Sequence, residues 1–361
     1  MSAFNIIALD KNYQIVALLR PTNVQWNRMY YEPGNFSIQL PIEQYKSSIR
    51  YLYSKDRSEL GKVIQVNYLS QSGFRYMQLS GYFEERDLNR HVVYPKGTSN
   101  MVTEPGWTEK SGPAEDVAYA FFDGFKNIGT SVATSTLRYS LKSSLRRGKQ
   151  SCHHRNGEYL GSKLYDILKP SEMSYRILYD FESSIRMLEV WQGRDRSEQN
   201  VDGNNPIVFS TKYGNIKNPN VLISEENYKT SCIINHTQSD GETEINTLRL
   251  LLNNPDSDGN QHFLYAASTL NKADYSTGFE TALENEAQNA LVDYTITSNV
   301  EFDSNASGYE YMVDFDLGDK CSLEIPEMNF SADARIIGCY EVMKSGQWTM
   351  TLEFGTPILK K

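Results

Sequence analysis

The chain has 361 residues, of which 39% are hydrophobic, and its formal net charge at pH 7 is -9. This length allows two to four compact units, and the negative charge argues against a nucleic-acid clamp, which needs a basic face. The N-terminus lacks a signal-peptide pattern and no run approaches the roughly 20 apolar residues of a membrane helix, so we expect a chain that folds in a cytosol without a membrane anchor.

The first part of the chain has the pattern of a β-rich unit. Turn residues at Asp10-Lys11-Asn12 and Glu32-Pro33-Gly34 separate runs of alternating apolar residues, the first two of which predict a hairpin. Pro41 ends the run over residues 35–41 because it removes a backbone donor. Strands are predicted at residues 4–9, 13–18, 24–28, 35–41, 63–68 and 76–83, and together they indicate a small antiparallel barrel or sandwich.

Helices are predicted after a connector that contains Gly and Pro at residues 103–113. Apolar residues recur at helical spacing in residues 116–128 and 160–168, and Pro170 follows the second run. Residues 130–158 are polar and irregular, and their pattern predicts no fold.

β structure returns at Tyr175. Residues 175–180 and 185–191 predict a hairpin, and further apolar runs follow at 207–210, 221–224, 229–234 and 248–252. The most regular helical pattern covers residues 278–294. A closing β module comes next: a strand that ends at Pro326, a second strand, a Gly-containing turn and a third strand that ends at Gly355.

We therefore predict a mainly β fold with a few helices (α+β), arranged in about four lobes. They are an N-terminal β-barrel module at 1–98, a helical and irregular insertion at 99–172, a second β lobe at 173–276, and a helix with a C-terminal β-barrel module at 277–361. The two barrel modules are predicted to be similar because one residue series recurs imperfectly: Arg75, Gly81, Tyr82 and Glu84 correspond to Arg335, Gly338, Tyr340 and Glu341.

Two polar clusters raise the question of a metal site. Cys152-His153-His154 is the tightest group of soft ligands, but adjacent side chains in a loop rarely converge on one metal. Asp256, Asp258 and Asn260 have the alternate spacing of a calcium loop, yet Ala267 occupies the position that needs a bidentate Glu. We predict a surface loop and a tight polar hairpin, with no metal and no cofactor. His236 and His262 are predicted to be polar loop or surface residues.

The sequence motifs that could indicate a catalytic site are equally weak evidence. The acids of Glu84-Glu85, Glu225-Glu226 and Asp314/Asp316 are typical of solvated β edges more than of a glycosidase pair. The stretch 146–149 lacks the first Gly and the Ser or Thr of a phosphate loop. No nucleophile elbow is present, and no two of the four cysteines have metal or redox spacing, so they are expected to be reduced and mostly buried. We predict no catalytic residues. Three of the four Trp lie in β runs and are expected to pack there: Trp26, Trp191 and Trp348.

The chain resembles the hub proteins at the tail tip of long-tailed phages, including the N-terminal part of tail-associated lysin (Tal) proteins. These are related to the baseplate hub of contractile tails. The resemblance rests on the order of several short segments over almost the whole chain: residues 26–28, 31–41, 192–196, 206–210, 214–216, 317–320, 334–338 and 352–355.

The resemblance implies a non-enzymatic structural protein of the virion, assembled in the cytoplasm of a bacterial host. It implies a homotrimer in which two barrels per subunit alternate below the six-fold distal tail ring. It further implies that the hub holds the C-terminal end of the tape-measure protein, anchors receptor-binding or tip fibre proteins, and opens so that DNA passes in transit. Lytic or receptor-binding work is expected in another protein, or in a part of the same protein beyond this sequence.

Three alternatives stay open at this point. The first is a carbohydrate-binding receptor module, and the second is a cell-wall hydrolase of the tail. The third is the same hub in a bacteriocin or another injection machine.

Overall fold

The computed structural model describes most of the chain. The described residues are 5–54, 57–71, 73–95, 106–126, 138–183, 185–239, 244–256, 258–275, 277–292, 294, 297–303, 308–344, 346–355 and 358–359. The fold is mainly β with a few helices, as predicted. Within these residues no helix combines the length and the apolar character that crossing a membrane requires.

The elements up to residue 168 begin with a dense β region and continue into two helices. In chain order they are β1 (Ile6–Leu9), β2 (Ile15–Leu19), β3 (Asn23–Met29), β4 (Asn35–Pro41), β5 (Tyr51–Ser54), β6 (Leu60–Gln71), β7 (Phe74–Phe83), β8 (Val92–Val93), β9 (Glu109–Pro113), α1 (Ala114–Phe125), β10 (Arg138–Leu141), β11 (Gln150–His154), β12 (Glu158–Tyr159) and α2 (Leu160–Leu168).

The rest of the chain is β except for one long helix. The elements are β13 (Ser174–Asp180), β14 (Ile185–Trp191), β15 (Asp195–Arg196), β16 (Val208–Ser210), β17 (Lys217–Ser224), β18 (Ser231–Ser239), β19 (Glu244–Asn253), β20 (Phe263–Asn271), α3 (Phe279–Val292), β21 (Thr297–Asp303), β22 (Lys320–Ile325), β23 (Phe330–Lys344), β24 (Gln347–Phe354) and β25 (Ile358–Leu359).

The first and last β regions belong to one sheet. Its central order is β17-β21-β24-β23-β3-β4-β7-β6-β5-β1-β2; β22 and β25 pair with the first half of β23, and β15 and β16 pair with β22. The alternation predicted for residues 35–41 is confirmed, since Phe36, Ile38 and Leu40 are buried while Ser37 and Gln39 are partly exposed. Two clusters of buried side chains lie on the sheet, one built mainly from β1, β3, β4 and β7 and the other from β21 to β24.

A separate core surrounds the first two helices. Apolar faces of α1 and α2 pack with buried residues of β13 and β14, which pair antiparallel as predicted. β10 joins them as a third strand, parallel to β14. The polar stretch whose pattern predicted no fold thus holds the three short strands β10, β11 and β12 in its described part.

The remaining sheet has β18 at its centre, with β19 antiparallel on one side and β20 parallel on the other. Helix α3 covers it with Phe279, Leu283 and Ala287, which are buried as the helical spacing predicted. The strands of the predicted lobe 173–276 thus pair in three different sheets, and β15 to β17 pair with strands beyond residue 276. The domain boundaries given above stay a prediction.

Charged side chains that join distant segments are buried in several places. Arg57 Nε donates to Glu341 Oε1 at 2.9 Å, and Trp348 Nε1 donates to Glu341 Oε2 at 3.3 Å. Arg28 forms an ion pair with Glu59, and its Nη1 lies 2.7 Å from Asp316 Oδ1. The Arg57–Glu341 pair links the segment that leads into β6 with β23, and Arg28 links β3 with that segment and with Asp316.

The acids at Glu84-Glu85 correct a prediction. They do not lie on a solvated β edge, because they begin the 3₁₀ turn Glu84–Arg90 and both are buried. Arg186 Nη1 donates to Glu84 Oε2 at 2.6 Å, and the backbone N–H of Ile177 donates to Glu85 Oε1 at 2.8 Å. Burial raises the pKa of both carboxyl groups, that of Glu85 to about 7. The two acids hold the N-terminal strands against the β13–β14 hairpin.

We predict that Glu341→Ala lowers the free energy of unfolding by about 3–5 kcal/mol, because it leaves Arg57 buried without its carboxylate. The double variant Arg57→Met/Glu341→Leu should recover most of that loss. Urea unfolding followed by circular dichroism measures both changes. The control is Asp123→Ala, which removes a mostly exposed partner of Lys126. Equal losses in Glu341→Ala and in this control would contradict the role of the buried pair.

A second prediction concerns pH. The pKa of Glu85 is raised from 4.5 to about 7 on folding, so the folded state binds a proton that the unfolded state has lost between these values. Stability should therefore fall as pH rises through this window. Relative to Glu85→Gln, the wild type should lose about 2.5 kcal/mol between pH 5 and pH 8. Urea unfolding at both pH values measures this, and parallel pH curves would contradict it.

Candidate assembly surface

Eight neighbouring strands of the large sheet form two consecutive groups of four. Their order is β17-β21-β24-β23 followed by β3-β4-β7-β6. We call these the C-terminal unit, the N-terminal unit and, together, the eight-strand row. The units meet where β23 pairs antiparallel with β3, from Gly338↔Met29 to Lys344↔Asn23. The row therefore places two four-stranded units from opposite ends of the chain side by side.

The hairpins that end the two units have the same pairing. From Val63↔Gly81 to Gln71↔Phe74, each residue pair between β6 and β7 has a counterpart between β23 and β24 whose residue numbers are higher by 273. For example, Gln65↔Ser80 corresponds to Gly338↔Glu353. Each first strand has a register shift at the same position, between Val63 and Gln65 and between Ile336 and Gly338. Each turn has a Gly with positive φ, +82° at Gly73 and +79° at Gly346. One extra residue in a strand bends it locally, so both hairpins bend at the same distance from their tips.

The other strands of the units also occupy matching places. β4 pairs with β7 as β21 pairs with β24, and β3 pairs with β4 as β17 pairs with β21. Core-facing residues match in burial and partly in identity: Met77 and Met350 are both buried, and so are Leu79 and Leu352. The observed arrangement is a tandem of two four-stranded units that are alike in pairing.

This pairing corrects the residue correspondence predicted from the sequence. Arg75 and Gly81 lie on β7, the second strand of its hairpin, whereas Arg335 and Gly338 lie on β23, the first strand. The recurrence that the structure supports is another one, with Ser-Gly at 72–73 and 345–346 and the Met and Leu residues just named. The signal was present in the sequence, but it consists of a few residues spread over a hairpin.

The two units differ at one edge. The segment 338–344 of β23 pairs on both sides, with β24 and with β3. The matching segment of β6, residues 65–71, pairs with β7 alone among the described strands, because β5 pairs only with Leu60–Lys62. Here Val66 is 42% exposed, Tyr68 55% and Phe74, across the turn, 65%. An uncharged edge segment that carries exposed apolar side chains has the physical character of an interaction site.

The side of the N-terminal unit that faces away from its core is rich in amides and hydroxyls. Asn23 Nδ2 donates to Gln39 Oε1 at 2.5 Å, Asn27 Nδ2 to Asn35 Oδ1 at 2.9 Å, and Gln78 Nε2 to Ser37 Oγ at 3.0 Å. We call this the amide face. Uncharged side chains occupy its outward positions on β3, β4 and β7: Asn23, Gln25, Asn27, Asn35, Ser37, Gln39, Tyr76, Gln78, Ser80 and Tyr82.

The candidate metal ligands do not converge. Cys152 and His153 are neighbours on β11, so their side chains point to opposite sides of the strand, and both are buried. They are thus not part of the surface loop that was predicted. Burial lowers the pKa of His153 and raises that of Cys152, whose Sγ accepts from Ser111 Oγ at 3.1 Å. Among the residues that the structure describes, no group of three His, Cys, Asp or Glu side chains could hold a metal ion.

The acidic loop near residue 256 is stabilised by hydrogen bonds from its own backbone N–H groups to the carboxylate of Asp256. Asp256 Oδ1 accepts from the backbone N–H groups of Asp258 and Asn260 at 2.9 and 2.7 Å, and Asp256 Oδ2 lies 3.0 Å from His262 Nε2. The tight polar turn that was predicted is present, since the backbone N–H of Asp256 donates to the Asn260 carbonyl at 2.8 Å, but its flanking strands do not form a hairpin, because β19 and β20 lie on opposite sides of β18. His236, predicted at the surface, is buried in β18 against the ring of Phe279, whereas His262 is exposed as predicted.

Within the basic stretch 146–149, Arg147 has a structural role. Arg147 Nη2 donates to buried Glu115 Oε1 at 2.9 Å and to the Val190 carbonyl at 2.6 Å. The other acidic pairs differ from each other: Glu225-Glu226 is exposed, and Asp316 binds Arg28.

Trp26 is fully buried and Trp191 stacks under Arg176, whose guanidinium carbon lies 4.4 Å from the centre of the Trp191 ring. These contacts account for the packing role predicted for both Trp residues.

Solved structures with the same fold are phage tail proteins. The tail protein from Neisseria meningitidis MC58 is 10% identical with a TM-score of 0.60, covering 98% of this chain and 97% of that one. The 43 kDa tail protein of prophage MuSo2 from Shewanella oneidensis is 11% identical with a TM-score of 0.59, covering 97% and 98%. Prophage tail protein gp18 from Listeria monocytogenes EGD-e is 10% identical with a TM-score of 0.52, covering 97% and 94%.

These likenesses extend over whole chains, so the fold as a unit is that of a tail protein. No curated protein matches the sequence significantly. The sequence profile described as Siphovirus ReqiPepy6 Gp37-like protein matches residues 6–356, and the chain therefore belongs to that family of phage tail proteins, which are components of the virion.

Proposed function

We propose that this protein is the hub at the tip of the tail, where three copies form a ring below the distal tail ring. The observation that carries the proposal is the tandem of two four-stranded units with the same pairing. A six-fold ring of subunits presents six equivalent surfaces, and three copies with two like units each can meet all of them. The two units would then belong to two similar barrel modules.

In this role the protein is structural and not an enzyme. Its partners are two further copies, the distal tail ring, the C-terminal end of the tape-measure protein and tip or receptor-binding proteins. The ring closes the tube before host contact and opens for DNA. The buried acids Glu84, Glu85 and Glu341 support this reading because each has a structural partner: Glu84 and Glu341 pair with arginines, and Glu85 accepts from the backbone N–H of Ile177.

The receptor-module and hydrolase alternatives have less support. A glycan cleft usually offers exposed Trp side chains, but Trp26 is buried and Trp191 packs between Tyr30 and Arg176. The same hub in a bacteriocin or another injection machine has the same physical basis, and the genes next to this one would distinguish it from a phage.

We predict that the purified chain forms a trimer, with a mass about three times the 41.3 kDa of one copy. Size-exclusion chromatography with multi-angle light scattering measures this over a range of protein concentrations. A three-fold outline in negative-stain images should accompany it. A chain that stays monomeric at every concentration and binds or cleaves cell-wall glycan would replace the hub proposal with one of its alternatives.

A further inference from the structure

The two four-stranded units differ most in one connection. In the N-terminal unit, β3 and β4 are joined by residues 30–34, whereas in the C-terminal unit the matching strands β17 and β21 are joined by residues 225–296. This long connection contains β18, β19, β20 and α3, and we call it the acidic lobe. β17 is the last strand at one end of the eight-strand row, so in the proposed ring the lobe stands where one copy meets the next.

The acidic lobe carries the whole net charge of the chain. Residues 225–296 contain 12 acids and three bases, which gives a formal net charge of -9. The complete chain has the same net charge, so the rest of the chain is neutral as a whole. Lobes of different copies therefore repel one another, and a partner that binds the lobe needs basic residues.

One side of the lobe's sheet is open. Cys232 and Ile234 of β18 are buried under α3. Because side chains alternate along a strand, Ile233 points to the other side, and the pairing of β18 with β20 places Phe263 and Tyr265 on that side too. Phe263 is 42% exposed and Tyr265 is 62% exposed. We call Ile233, Phe263 and Tyr265 the outward face.

Acids border the Phe263 end of the outward face. Asp258 is exposed in the loop that leads into β20, and Glu225-Glu226 is exposed in the turn that precedes β18. The Tyr228 ring of that turn has its centre 5.6 Å from the centre of the His262 ring, next to Phe263. An exposed apolar sheet face with acids at its border fits a partner that combines an apolar side chain with arginine or lysine.

Residues 142–149 offer this combination. The segment joins β10 to β11 and contains four bases and no acid, and we call it the basic loop. Leu145 is 69% exposed, and the Arg146 side chain is 77% exposed with its Nε 3.4 Å from Asp116 Oδ2. Lys149 is exposed as well. The loop thus presents an apolar side chain next to free faces of two bases.

Contacts with helix α1 fix the shape of the basic loop. The backbone N–H groups of Leu145 and Arg147 donate to Oε2 of buried Glu115 at 3.1 and 2.9 Å. Between them, Arg146 has a φ of +59°, a left-handed conformation that is uncommon outside Gly and that the bonds on either side maintain. Such strained positions cluster where a side chain serves binding. A loop whose shape is already fixed loses little conformational entropy when it binds.

We propose that the basic loop of one copy binds the outward face of the acidic lobe in the next copy. Leu145 lies on the rings of Phe263 and Tyr265, and Arg146 lies beside the acids at the border of the face. This inference rests on the proposed trimer and gives it a contact between copies that lies outside the eight-strand row.

Within one copy the two surfaces cannot meet. Helix α3 lies between the lobe's sheet and β11, where Asn285 Nδ2 donates to the Cys152 carbonyl at 3.3 Å. The basic loop leads into β11, and the Lys149 N–H donates to Ser171 Oγ at 2.9 Å. The loop therefore lies on the α3 side of its own lobe, opposite the outward face. Each copy offers both halves of a head-to-tail contact, as a closed ring requires.

Charge reversal tests the contact. Arg146→Glu/Lys149→Glu should raise the protein concentration at which half of the trimer dissociates by at least about tenfold, because like charges then face each other. Adding Glu225→Lys/Glu226→Lys/Asp258→Lys to this variant should restore most of the loss, since the two sets of charges are then exchanged. Light scattering over a dilution series measures both changes.

A matched control separates the contact from the change in net charge. Lys11→Glu/Arg20→Glu makes the same change in charge at exposed residues in the β1–β2 turn and just after β2. This variant should dissociate at nearly the concentration of the wild type. Circular dichroism and urea midpoints verify that every variant folds.

A disulfide tests the geometry independently. In Leu145→Cys/Tyr265→Cys the two new thiols lie on surfaces of neighbouring copies that face each other, close enough for a disulfide to form. The four native cysteines are buried and should not react. After mild oxidation, a non-reducing gel should show covalent dimers and trimers. Ile15→Cys/Tyr265→Cys, which moves one thiol to an exposed position on β2, should stay uncrosslinked.

Thiol labelling shows whether the outward face is covered in the trimer. The single variant Tyr265→Cys should react with a maleimide more slowly as a trimer than after dilution to the monomer. Equal rates in the two states, together with the absence of a crosslink, would mean that the face is open in the trimer and available to another tail protein, which overturns the contact proposed here.

The outcomes separate this inference from the hub proposal. A wild type that never associates overturns the hub proposal and the contact with it. A wild-type trimer that withstands the loop reversal as well as it withstands the control, and that yields no crosslink, overturns the contact alone. Loss of the trimer in the loop variant, recovery in the exchanged variant and a crosslink support both.

Discussion

The pairing of β23 with β3 is the interaction on which the rest of the structure depends. It joins residues 338–344 to residues 23–29, segments more than 300 positions apart, through a continuous antiparallel ladder. Without it the two four-stranded units would be separate sheets with four edges. With it they form one row, and the orientation of one unit relative to the other is fixed by backbone hydrogen bonds. Long-range pairing of this kind closes a large loop and is expected to be completed late in folding.

Buried charges specify how the row meets the other parts of the chain. Arg28 on β3 bonds to Tyr311 and Asp316, and Glu341 on β23 bonds to Arg57. An ion pair in the interior contributes little net stability compared with a well-packed apolar pair, but an unpaired charge there is strongly unfavourable. Alternative registers of β23 on β3 would separate these partners. The pairs therefore select one arrangement among several that backbone hydrogen bonding alone permits.

Local patterns in the sequence predicted individual elements well. The predicted bounds of α2 and the extent of β4 match the structure, because apolar period and terminal Pro are local signals. The pairing of β23 with β3 was not predicted, since strand partners depend on distant residues. Glu84 was assigned to a solvated edge because its partner Arg186 lies 102 positions away. The candidate surface was not predicted for a related reason. The two hairpins share a register and a bend, but few of their side chains are identical, so the sequence pattern that they have in common is weak.

The amide face has an electrostatic consequence for anything that moves along it. The cores occupy the other side of the row, so this face would line the bore of the proposed ring if the ring closes with its cores outward. Nucleic acids gain affinity mainly when lysines and arginines displace condensed counterions from phosphates. Over β3, β4 and β7 the bore would offer amides and hydroxyls instead. A polyanion would keep its counterions there, and its passage would meet little friction from the wall.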